Sequence, residues 1–126
     1  MGRQFVVTVV LSAVIAANGH AGPRDQAKRM HDRLTGVPAS DAMLDAMESS
    51  ITGGGGLVGA AMYAIDGAPD VPANGDFYTV TLKNWATPWT NEAQDIFAPL
   101  NDYSATVVGA VRDEVDFRDL LSADIL

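Results

Sequence analysis

Residues 82–103 read LKNWATPWTNEAQDIFAPLNDY and contain both tryptophans of the chain, Trp85 and Trp89. Close by stand three groups that hydrogen-bond, Asn91, Glu92 and Asp102, and a further aromatic, Tyr103. Indole rings offer broad apolar faces, and polar neighbours fix the orientation of whatever lies against them. This set is suited to binding a saccharide or another flat ligand. Glu92, Asp95 and Asp102 would extend it to saccharide cleavage if two carboxyls stood about 5–10 Å apart, one acting as acid and the other as base or nucleophile. Against this stands packing, because buried aromatics dominate the cores of small domains. Trp85 falls at helical spacing from Tyr78 and Leu82, which predicts a buried ring at a helix end. Pro88 disfavours helix at Thr87, so the helix is expected to stop near Trp85, with Trp89 partly buried on the following turn. Core anchoring of a long loop is the favoured reading.

Other reactive patterns are weak. The chain has no cysteine, which excludes disulfides, thiolate metal sites and covalent c-type haem attachment within it. The glycines of TGGGG, residues 52–56, are not followed by the Lys-Ser/Thr of a phosphate-binding loop. Asp113, Glu114 and Asp116 lack the spacing and turn glycine of a calcium loop, and Asp116 reads better as a helix cap. His31 is expected to face solvent on a charged helix, and no GxSxG elbow supports a hydrolase triad. No catalytic residue, metal site or cofactor is therefore assigned to this segment.

The elements that would position these residues read as helices. Pro23 to Leu34 has proline in its first turn, Gly36 beyond its end, and Ala27, Met30 and Leu34 along one stripe. It also carries Arg24, Lys28, Arg29 and Arg33, a basic face expected to pack against the chain's own acids or to be solvated. Ser40 or Asp41 caps a second helix that buries Met43, Leu44, Met47 and Ile51. A short third helix, Leu57 to Ile65, is expected to turn Leu57, Ala61, Met62 and Ile65 inward. DGAPDVPANGD, residues 66–76, is a loop. FYTVTLKNW, residues 77–85, alternates like a strand yet also fits a helix capped by Asp76. Pro99 opens a helix with Leu100, Tyr103, Val107 and Val111 on one face. Asp116 caps a last one that buries Phe117, Leu120 and Leu121. The expectation is an all-α fold, an irregular bundle of about five or six short helices.

The chain has 126 residues, 48% hydrophobic, and a formal net charge of −8, which suits one packed domain and disfavours a nucleic-acid partner. Its first 21 residues differ from the rest. Arg3 precedes an apolar stretch from Phe5 to Ala17, and NGHA places Gly19 and Ala21 before a cut between Ala21 and Gly22. A basic start, a short apolar run and a small-residue exit describe a secretory signal peptide. The run is shorter than the roughly 20 residues of a spanning helix, so no membrane span is expected after processing. The expected organisation is a signal peptide at 1–21 and a helical domain at 22–126, periplasmic or secreted.

Three stretches resemble one family, the uncharacterised helical domain at the front of large secreted planctomycete proteins often joined to cytochrome c domains. RLTGVPAS, Arg33 to Ser40, is similar to its Arg-Leu-Thr-Gly-Leu-Pro-Pro-Thr. FYTVTLKNW matches the family's aromatic and tryptophan at Phe77 and Trp85. VRDEVDFRDLLSADIL, residues 111–126, is similar to its tail at Phe117, Ala123, Asp124 and Leu126. The family follows its tryptophan with Leu-Asp-x-Ala-Arg-Tyr, whereas Trp85 is followed here by Ala-Thr-Pro-Trp. The resemblance implies helices throughout Arg33 to Leu126, and downstream domains of the same protein as partners. The sequence thus leads to two expectations of function. The first is an exported non-catalytic module of a larger envelope protein, redox-linked through downstream haem domains. The second is an exported saccharide-binding or saccharide-cleaving protein using the Trp85/Trp89 region.

Overall fold

A computed structural model describes residues 21–122. The leader before Ala21 and the tail residues Ala123, Asp124 and Leu126 lie outside the described residues, as does the side chain of Leu121. The fold is all-α, with one two-residue β-ladder.

Helix α1, Pro23–Thr35, starts on its proline and ends at Gly36, whose φ of 73° is the left-handed conformation that a side chain would disfavour. Ala27 is fully buried, with Met30 and Leu34 packed beside it. Arg24 bridges to Asp41, Asp45 and Glu48 of the next helix, and Lys28 pairs with Asp32. Part of the basic face is thus neutralised by the chain's own acids. His31 departs from expectation: it is buried, not solvent-facing. Its Nδ1 lies 3.2 Å from the Val37 carbonyl and 3.1 Å from Thr35 Oγ1, so the ring fastens the turn after α1.

Ser40 caps α2, Asp41–Thr52, by accepting from the Met43 amide, and Met43, Leu44 and Met47 are buried as their spacing predicts. Helix α3, Gly56–Asp66, turns a different face inward from the one expected. Ala60 and Ala64 are buried, while Leu57 and Met62 are exposed. Small side chains let α3 approach its neighbours closely, and Gly59 shows how closely. A Cβ built there would lie 2.7 Å from Ser50 Oγ of α2. Alanine faces and glycine contacts thus outweigh the larger side chains in choosing the buried side. The core of this three-helix unit is Ala27, Met43, Leu44, Met47, Ala60 and Ala64.

After α3, Gly67–Ala68 (β1) pairs antiparallel with Val71–Pro72 (β2) inside the expected loop. The ambiguous segment that follows is helical, but Asp76 does not cap it: its own backbone is already helical and its side chain accepts no bond from the first turn. Phe77–Leu82 forms a π turn, in which the Lys83 amide donates to the Tyr78 carbonyl five residues back. It runs into α4, Lys83–Ala86, and then into a 3-10 turn, Thr87–Thr90. The chain therefore stays helical through Thr87, past the expected stop. A loop leads to α5, Asp102–Arg112, and a 3-10 turn, Phe117–Leu121, follows. Helix α5 begins at Asp102 and leaves Leu100 exposed, because Asn101 and not Pro99 supplies the start.

Candidate functional site

The aromatic stretch is positioned by a helix whose buried face is small. Leu82, Ala86 and Thr87 are the buried residues here. A helix advances about 100° per residue, so a face centred between Leu82 and Ala86 and tilted toward Thr87 leaves Trp85 on its flank. The expected burial of Trp85 is therefore corrected: the ring is 52% exposed, and Trp89 is 50% exposed. The two rings meet edge to face with centroids 4.3 Å apart, and Phe117 lies 6.5 Å from Trp85. Phe117, expected in the core, is 46% exposed. Three aromatic side chains from two distant parts of the chain thus form one solvent-facing patch.

The backbone beneath the patch is held by polar groups. Thr87 is helical in front of a proline, with φ −56° and ψ −40°. Its Oγ1 donates to the Lys83 carbonyl at 2.6 Å, and its own carbonyl accepts from Thr90 Oγ1 and Asn91 Nδ2. These bonds offset the local preference against helix before proline. Asn91, expected as a ligand group, is instead occupied. Its amide donates to the Thr87 and Asp95 carbonyls, and its Oδ1 accepts from the Asp95 amide. Asp95 is likewise engaged by the Phe97 amide.

Beside Trp89 opens a shallow cleft of about 440 Å³, walled by Trp89, Thr90, Asn101, Asp102 and Tyr103. Asn101 builds its rim. The side chain accepts from the Ser104 amide in a reciprocal capping box and donates to Thr90 Oγ1 at 2.6 Å, which ties α5 to the turn carrying Trp89. Sequence reading passed over Asn101, although Asn followed by Ser three residues later is a legible start signal. Of the three carboxylates considered for cleavage, Asp102 alone lines the cleft. Glu92 and Asp95 are exposed elsewhere on the loop. The pairing that acid–base cleavage requires is not assembled in this cleft.

Around the patch the charges are locally compensated. Asp116 caps the last turn through the Arg118 amide and pairs with its guanidinium, which holds the Asp116 carboxyl below its ordinary value. The Arg112 guanidinium does the same for Asp113. Among the described residues no group of three or more His, Asp or Glu side chains converges as a metal site, and no helix is long and apolar enough to cross a membrane. Comparison with protein-family models, curated proteins and solved structures finds no match.

Proposed function

We propose that this chain is a non-catalytic helical module of a larger exported protein, and that the patch of Trp85, Trp89 and Phe117 is its contact surface toward downstream domains. The observation that carries the reading is the half-exposure of both tryptophans in one aromatic cluster. Exposed aromatic clusters of this kind favour contact with a partner over bare hydration. Export rests on the sequence of the first 21 residues. The resemblance adds that the downstream domains carry haem, which would make the assembly redox-linked. The reading DNA beyond Leu126 tests this at once. An open frame that encodes Cys-x-x-Cys-His supports it, and an immediate stop codon contradicts it.

A second reading, saccharide binding, is favoured by the cleft beside Trp89. There Trp89 adjoins Asn101, Asp102 and Tyr103, a mixture of aromatic and polar groups of the kind that a sugar ring engages. A glycan panel probed with the full chain and with Trp89→Ala tests it. Binding that disappears in the variant, at an unchanged melting temperature, supports the second reading. An empty panel removes it and leaves the contact-surface reading standing.

A further inference from the structure

A different face of the molecule carries its own signal. Between α1 and α3 lies a cleft of about 470 Å³ lined by Gln26, Arg29, Met30, Arg33 and Leu34 of α1 and by Leu57 and Ala61 of α3. The α1 residues fall at i, i+3, i+4, i+7 and i+8, one continuous face. Leu57 of α3 is 53% exposed, and its neighbour Val58 is 76% exposed. The chain has twice as many acidic as basic side chains, 16 against 8. Even so, among the described residues Arg29 and Arg33 have no ion-pair partner, whereas Arg24 and Lys28 on the same helix do. Two unneutralised guanidiniums one helical turn apart thus border an apolar groove.

We infer that this groove receives an acidic amphipathic helix of a partner protein, whose apolar face lies on Met30, Leu34 and Leu57 and whose carboxylates meet Arg29 and Arg33. Three arguments select that occupant. A groove between two helices accepts a third by its i, i+3, i+4, i+7 face. Carboxylates four residues apart on that helix stand one turn apart and so match the two arginines, each of which takes a carboxylate in a two-pronged geometry. A second copy of this chain docking by two-fold symmetry would bring four arginines together, a like-charge arrangement that disfavours it. An anionic lipid surface would meet a net charge of −8, which disfavours it.

The test uses the full chain and a fluorescein-labelled helical peptide of about 18 residues, with leucines along one face and two glutamates four apart beside it. Fluorescence anisotropy is expected to show saturable binding that weakens as salt is raised, because exposed ion pairs are screened. Arg29→Glu/Arg33→Glu is expected to reduce affinity at least about tenfold and to bind better a peptide with lysines in place of the glutamates. Trp85→Ala should leave the affinity unchanged, which keeps this surface separate from the aromatic patch. Circular dichroism melts of the double variant, expected to match the parent, show that folding is intact. Absence of saturable binding to the acidic peptide, or binding indifferent to the charge reversal, overturns the inference. So does arginine-dependent sedimentation with phosphatidylglycerol vesicles in place of peptide binding.

Discussion

Met47 and Trp85 occupy opposite ends of the packing scale, although the sequence offers both as core residues. Met47 is fully buried among α1, α2 and α3, while Trp85 keeps half its surface in solvent. Truncating a buried methionine removes transfer energy and leaves a cavity, so Met47→Ala should cost about 2–5 kcal/mol. Trp85→Ala should cost no more than about 1.5 kcal/mol, because the ring is half hydrated and its contacts are with Trp89 and Phe117. Urea unfolding of both variants checks the pair, and equal losses would show that Trp85 is a core residue after all. The sequence placed Met47 correctly because α2 is regular and its stripe includes large side chains. It misplaced Trp85 because the buried face here is marked by Ala86 of α4 and Thr87 of the following turn, residues too small or too polar to announce a core. His31 was misread for a related reason. Its burial depends on the Val37 carbonyl across a turn, a partner that helical spacing does not reveal.

Helix ends were legible only in part: Asp76 makes no side-chain cap, Asn101 and not Pro99 starts α5, and the helix at Trp85 runs on through Thr87, whereas four other ends stand as expected. Pro23, Gly36, Ser40 and Asp116 each act where local chemistry puts them, because capping satisfies backbone groups within a few residues. Faces depend on what packs across the gap. The inward side of α3 follows Ala60, Ala64 and the close approach of Gly59 to Ser50, which a one-helix pattern cannot contain. Gly59→Ala would press only on the Ser50 hydroxyl, a side-chain end that can rotate away, so its net effect should stay within about 1 kcal/mol once the better helix propensity is counted, read by thermal melts, and any loss should be relieved in Gly59→Ala/Ser50→Ala. At the start of α5, Asn101→Ala should cost about 0.5–2 kcal/mol and loosen the turn carrying Trp89, whereas Asn101→Asp should retain most of the cap. The last turn responds to acid. The Asp116 carboxyl is held low in the folded chain by Arg118, so its contribution is present above the unfolded aspartate range. It is lost as pH falls below about 4. The protection of the Arg118 amide, the intrinsic exchange rate at the same pH divided by the observed rate, should fall over that window, and Asp116→Asn should flatten the dependence.

On the scale of the molecule, the helices leave two surfaces without a partner within the described chain. One is the aromatic patch, the other the arginine-bordered groove between α1 and α3. They differ in chemistry and in the segments that build them, so each has a test that leaves the other untouched. The aromatic patch carries the central claim, and it has a built-in reporter, because both tryptophans of the chain lie in it. The direct measurement is tryptophan emission with acrylamide quenching, made on the isolated chain and on the product of the native gene carrying only these two tryptophans. The isolated chain should emit as hydrated indole and be quenched readily. The native product should show blue-shifted, protected tryptophans, and Trp85→Ala in it should weaken association between this module and the rest. Equal quenching in both, or a native product no longer than this chain, would contradict the account.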